Sequence, residues 1–111
     1  LIGRHCRIGD GVTIKNSCID NFSIIEDGTY LEKSAILDRV RIGEGAEIQN
    51  SIIGRHSTVK SSKAKPTRIK AMSVLGDNVT VGEGSEIIAS KVYPHLSVVA
   101  GKKLLNESIT N

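Results

Sequence analysis

The sequence predicts an all-β chain wound as a parallel β-helix, a solenoid of triangular coils with 17 residues to the turn. Three observations lead there. Aliphatic residues recur in three columns with a 17-residue period, and small residues recur at fixed offsets from those columns. Aromatic residues make up only 3% of the chain, with no tryptophan, so small and β-branched side chains must fill the interior.

The columns can be followed coil by coil. The first coil carries Ile2, Ile8 and Ile14, the second Ile19, Ile25 and Leu31, the third Ile36, Ile42 and Ile48, and the fourth opens with Ile53 and Val59. The spacings within a coil are six, six and five. Register lapses through KSSKAKPTRIKAMS and resumes with Leu75, Val81 and Ile87, then Val92, Val98 and Leu104. Val59 and Val81 are 22 residues apart, which predicts five extra residues between Lys60 and Ile69, bulging as one loop from one corner of one coil.

Small residues punctuate each turn. Ser17, Ser34, Ser51, Ser73 and Ser90 stand two positions before the first-column aliphatics. Gly11, Gly28, Gly45, Gly84 and Gly101 stand three after the second column, with Ser62 in that place at the insertion. A short strand sends alternate side chains inward, and a glycine at a fixed corner supplies positive φ. Three strands and three corners close one coil, coils stack at about 4.8 Å, and every column aliphatic is expected to point into the bore. No coil is stable alone.

On this frame His5, His56 and His95 share one corner column with Phe22, Arg39 and Asn78. His5 and His56 are three coils apart, roughly 14 Å, and His56 and His95 two, roughly 10 Å. Zinc ligands lie about 2 Å from their ion, so one chain cannot gather these imidazoles on one metal. The expected role of the corner is a solvated edge, with His56 the one candidate general base. A second corner stacks Asp10, Asp27, Glu44 and Glu83. Solvent and neighbouring lysines screen such a column, and no metal site is expected there. The insertion carries Lys60, Lys63, Lys65, Arg68 and Lys70, with Pro66 at its middle. Lys63, Lys65 and Arg68 are candidate phosphate contacts, without the glycine-rich cradle that phosphate sites commonly add.

The outward positions beside the first column are apolar: Cys18, Ala35, Ile52 and Val74, with Leu37 just beyond Ile36. A strand apolar on both faces is buried on both. Because these residues align across successive coils, they predict an interface with another subunit or with a further part of the same chain.

The remaining features bound the function. The net charge of +3, with acids and bases interspersed, gives no argument for a nucleic-acid partner. No apolar run is long enough to span a membrane and no signal peptide stands at the start, so the expected location is the cytoplasm. Cys6 and Cys18 have neither metal-site spacing nor the number for a disulfide framework. The chain starts at Leu1 without an initiator methionine, so the expectation is one domain, residues 1–111, cut from a longer protein.

IGDGVT, IGEGAE and VGEGSE, starting at Ile8, Ile42 and Val81, resemble the hexapeptide-repeat family, which implies that the β-helix is left-handed. NSIIGRHSTV, the basic insertion and VLGDNVTVGEGSEI resemble the C-terminal β-helix of sugar nucleotidyltransferases of the glucose-1-phosphate thymidylyltransferase and mannose-1-phosphate guanylyltransferase types. In those enzymes an N-terminal domain joins a nucleoside triphosphate to a sugar 1-phosphate, with Mg2+ expected only there. Its G-x-G-T-R fingerprint is not in this sequence. The resemblance implies a structural, oligomerising domain, dimeric or trimeric, that is not catalytic alone and holds no cofactor of its own. The alternative is an acyl-coenzyme A-dependent amino-sugar acetyltransferase, with His56 as base and the basic loop on the coenzyme.

Overall fold

A computed structural model describes residues 2–110. Eighteen short strands form three six-stranded, all-parallel sheets. The first-column sheet runs β3 (Cys18–Ile19), β6 (Ala35–Ile36), β9 (Ile52–Ile53), β12 (Val74–Leu75), β15 (Lys91–Val92), β18 (Ser108–Ile109). The second-column sheet runs β1 (Arg7–Ile8), β4 (Ile24–Ile25), β7 (Arg41–Ile42), β10 (Thr58–Val59), β13 (Thr80–Val81), β16 (Ser97–Val98). The third runs β2 (Thr13–Lys15), β5 (Tyr30–Glu32), β8 (Glu47–Gln49), β11 (Arg68–Lys70), β14 (Glu86–Ile88), β17 (Lys103–Leu105). Each strand pairs with the strand one coil away, so the chain is a parallel β-solenoid.

Register within the sheets is the 17-residue register of the sequence. Ile19 pairs with Ile36, Ile36 with Ile53, Ile25 with Ile42 and Leu31 with Ile48. Like side chains therefore stack into aliphatic ladders, and every column member from Ile19 to Leu104 is buried. The first coil differs: Ile2 and Ile8 are 49% and 38% exposed, because they lie at the end of the prism with no described coil stacked upon them. Inward pointing does not bury a residue unless a neighbouring coil covers it.

The serine column is buried too, and its hydroxyls link coils. Ser17 Oγ accepts from the Ser34 amide at 3.1 Å and donates to the Lys15 carbonyl at 2.9 Å. Ser34 and Ser51 repeat the contact at 3.3 Å, as do Ser73 and Ser90 at 3.2 Å. A polar group this deep must be paired, and a hydroxyl, as donor and acceptor, serves the turn of its own coil and the amide of the next.

All three corners contain a residue at positive φ. The glycines of the second corner lie at φ 68 to 73°. The other two corners use residues that have a Cβ: His5, Phe22, Arg39, His56, Asn78 and His95 at 56 to 65°, and Asn16, Lys33, Asn50, Ala89 and Asn106 at 48 to 52°. The hydrogen bonds explain the requirement. In the parallel ladders successive strand amides alternate between the two neighbouring coils, as Ile52 donates forward to Ser73 at 3.0 Å, and the left-handed corner residues donate back to the preceding coil, as His56 does to Asp38 at 3.0 Å and Gly45 to Asp27 at 3.0 Å. The bond made by the left-handed residue's amide offsets a conformational cost of about 1–2 kcal/mol per side chain.

The five extra residues do not form one loop. Val59 to Ile69 is ten residues where six is regular, and Ile69 to Leu75 is six where five is regular. Four are therefore inserted at the second corner and one at the third, where Ala71 and Met72 are both at positive φ, 60 and 69°. Ile69 carries the third column, buried between Ile48 and Ile87. The larger insertion is tied at its base by Thr67. Its amide donates to Ser61 Oγ at 3.0 Å, and its hydroxyl donates to the Lys60 carbonyl and accepts from the Gly84 amide at 3.1 Å. Extra length at corners leaves the strands in register.

Candidate functional site

Outward-facing residues give the sheets different surfaces. On the third sheet the pairing sets Glu47 beside Arg68, Arg68 beside Glu86 and Glu86 beside Lys103, so charge alternates from coil to coil. Arg68 and Lys70 lie 3.8 and 3.5 Å from Glu47. Such a ladder is satisfied within the chain and in water. The first-column sheet has no counterpart: its outward residues on four successive strands are Cys18, Ala35, Ile52 and Val74. They line one shallow depression together with Lys33 and Met72, and Ile52 stays 45% exposed at its centre. Leu37 is half-buried and lies outside that depression, one residue beyond the strand.

The histidine corner is built by the backbone first. Each position takes positive φ and, from Phe22 onward, donates its amide backward, which says nothing about the side chain, and six residues of four types share it. What side chains do there is stack. The His5 and Phe22 rings lie 5.2 Å apart and nearly parallel, and the Arg39 guanidinium sits 4.7 Å from the Phe22 centroid. These contacts cover part of an exposed ring. The exposed His56 has, among the described residues, no carboxylate or carbonyl holding its imidazole, whereas a general base is commonly oriented by such a partner.

Asp27 Oδ1 accepts from the Asp10 amide at 2.8 Å, which makes this carboxylate a turn cap. Among the described residues no three His, Cys, Asp or Glu side chains are grouped to hold a cation. Arg68 is a strand residue engaged with Glu47, and Lys63 lies in the loop. Lys65 and Arg68 border one depression together with Glu83 and Glu86, so an anion there would meet carboxylates as well as bases.

One column escaped the sequence reading. Two residues after the first-column aliphatics stand Asn21, Asp38 and Asp77, whose side-chain oxygens accept from the amides of Arg4, Asn21 and Arg55 in the preceding coil at 2.7, 3.1 and 2.9 Å. Glycine lies beneath two of them: a Cβ on Gly3 would meet Asn21 Oδ1 at 2.5 Å, and one on Gly54 would meet the Gly76 carbonyl at the same distance. The pairing of Asn or Asp at this place with glycine one coil before was the available signal.

Among the described residues no helix is long and apolar enough to cross a membrane. A family model described as the GMPPB C-terminal domain, the mannose-1-phosphate guanylyltransferase beta type, matches residues 1–109. Comparison with curated proteins found no match.

Proposed function

Since the chain belongs to the GMPPB C-terminal domain family, we propose that this nucleotidyltransferase-related domain is structural and joins copies of an enzyme that makes a nucleotide-sugar from a nucleoside triphosphate and a sugar 1-phosphate. The observation that carries the reading is the contrast between two faces of one prism. The third sheet sets opposite charges side by side, while the first-column sheet sets four apolar residues side by side in a depression that no described residue fills. Contiguous exposed apolar patches mark interaction sites, and a repeat solenoid offers a long, straight one.

Sedimentation of the chain tests it. The wild-type chain is expected to self-associate with rising concentration, and Ile52→Glu to stay monomeric with an unchanged β-sheet circular dichroism spectrum. A wild-type chain that is monomeric throughout would remove the reading.

A further inference from the structure

We infer that the apolar face receives a second copy of itself with the two prisms antiparallel, in a register centred between Ala35 and Ile52. This deepens the proposed function and rests on the reading of that face as the joining surface.

When two identical flat faces meet, the two-fold axis lies in the plane between them. With the strands of the two faces aligned, it runs either along the strands, which makes the prisms antiparallel, or along the long axis, which makes them parallel. The parallel case stacks like on like: Ile52 meets Ile52 and Ala35 meets Ala35, so the protruding residues collide and a gap opens beside them. The antiparallel case matches a residue with one on a different coil. Centred between the second and third of the four apolar strands, it sets Ala35 against Ile52 of the second copy and Cys18 against Val74 of the second copy, small against large each time.

The flanking columns agree with this register independently. One residue beyond the column, Leu37 comes opposite Gly54 of the second copy, where a Cβ has no room even in the free chain. A residue further, Asp38 comes opposite Arg55 of the second copy, and by symmetry Arg55 opposite Asp38. Within the chain these two stand on adjacent coils, yet among the described residues neither is in an ion pair. Asp38 uses one oxygen on the Asn21 amide, which leaves the other to a partner, and Arg55 is exposed. On the other edge Lys33 comes opposite Asn50 of the second copy, so no like charges meet. The same shift therefore pairs size with size and charge with charge in three columns.

The apolar strip spans four coils, roughly 19 Å, by a strand and its flanks, which buries less than the roughly 800 Å² per partner of a standard interface. Association of the isolated chain is accordingly reversible, and exchanging charges can tip it. Asp38→Arg and Arg55→Asp are each expected to weaken dimerisation at least ~tenfold in sedimentation equilibrium, and the double variant to restore it. With a short bifunctional thiol reagent the wild-type chain is expected to stay uncrosslinked through Cys18, whose copies would lie three coils apart, roughly 14 Å along the prism, whereas Val74→Cys, directly across the roughly 10 Å between packed sheets, joins Cys18 of the second copy. A Cys18–Cys18 crosslink in the wild type, or a dimer indifferent to both charge variants, would overturn this register while leaving the oligomerising role intact. A wild type that never dimerises would remove both.

Discussion

At the scale of the residue, the most informative position is His56, where one amino acid can be read as chemistry or as backbone. The backbone requirement is plain: φ is 58°, the amide bonds back to Asp38, and the coils on either side do the same with Arg39 and Asn78. If the corner asks only for left-handed backbone, glycine should suit it. His56→Gly trades a left-handed cost of about 1–2 kcal/mol against a glycine entropy cost of roughly 0.5–1 kcal/mol, so its melting temperature is expected to match or slightly exceed that of the wild type. His56→Val, β-branched and ill-suited to this region, is expected to lower stability by at least ~1 kcal/mol in denaturant unfolding. A loss of stability in the glycine variant would mean the imidazole contributes something the corner geometry does not. The left-handed role of this column was not legible in the sequence, because His, Phe, Arg and Asn share no side-chain chemistry. The second corner was legible, because there the requirement is written as glycine.

At the scale of the element, the strands are two or three residues long and none is stable by itself. Their positions were readable because burial on one face leaves an aliphatic every five or six residues, and a 17-residue period then fixes the sheet partner as well. The insertion was read correctly in total and wrongly in distribution. Ile69 sits six residues before Leu75 instead of five, which was the signal for a lengthened third corner, but it lies among basic residues that draw attention to the loop. Of the candidate sites, the apolar face was legible as a column, except that Leu37 lies outside the depression. The carboxylate caps were not, since an Asp in a turn has several common uses. The loop yields a direct test. Lys63, Ala64, Lys65 and Pro66 are the four residues beyond the regular spacing, and Ser62 stands where other coils have glycine. Deleting those four with Ser62→Gly is expected to leave the circular dichroism spectrum unchanged and the melting temperature within a few degrees. A collapse of the β signal would show that the loop supports the coil it leaves.

At the scale of the whole molecule, stability is a sum over coils and the contacts between neighbours, so it need not be uniform along the prism. The central coils are covered on both sides, while the first exposes Ile2 and Ile8. Hydrogen exchange is expected to follow that gradient, with the Gly54 amide, bonded to Leu75 at 2.9 Å, exchanging on the order of tenfold or more slowly than the Gly9 amide, bonded to Ile25 at 2.8 Å. Equal rates would mean that the prism opens only as a unit. The hydrogen-bond lengths are alike, so any difference reports cover and not bond geometry. The bends of this prism also absorb added length without disturbing the straight edges, as the base held by Thr67 demonstrates. A short foreign peptide spliced between Ser62 and Pro66 would therefore ride outside the stack, making this bend a mounting point for a fluorescent or affinity label.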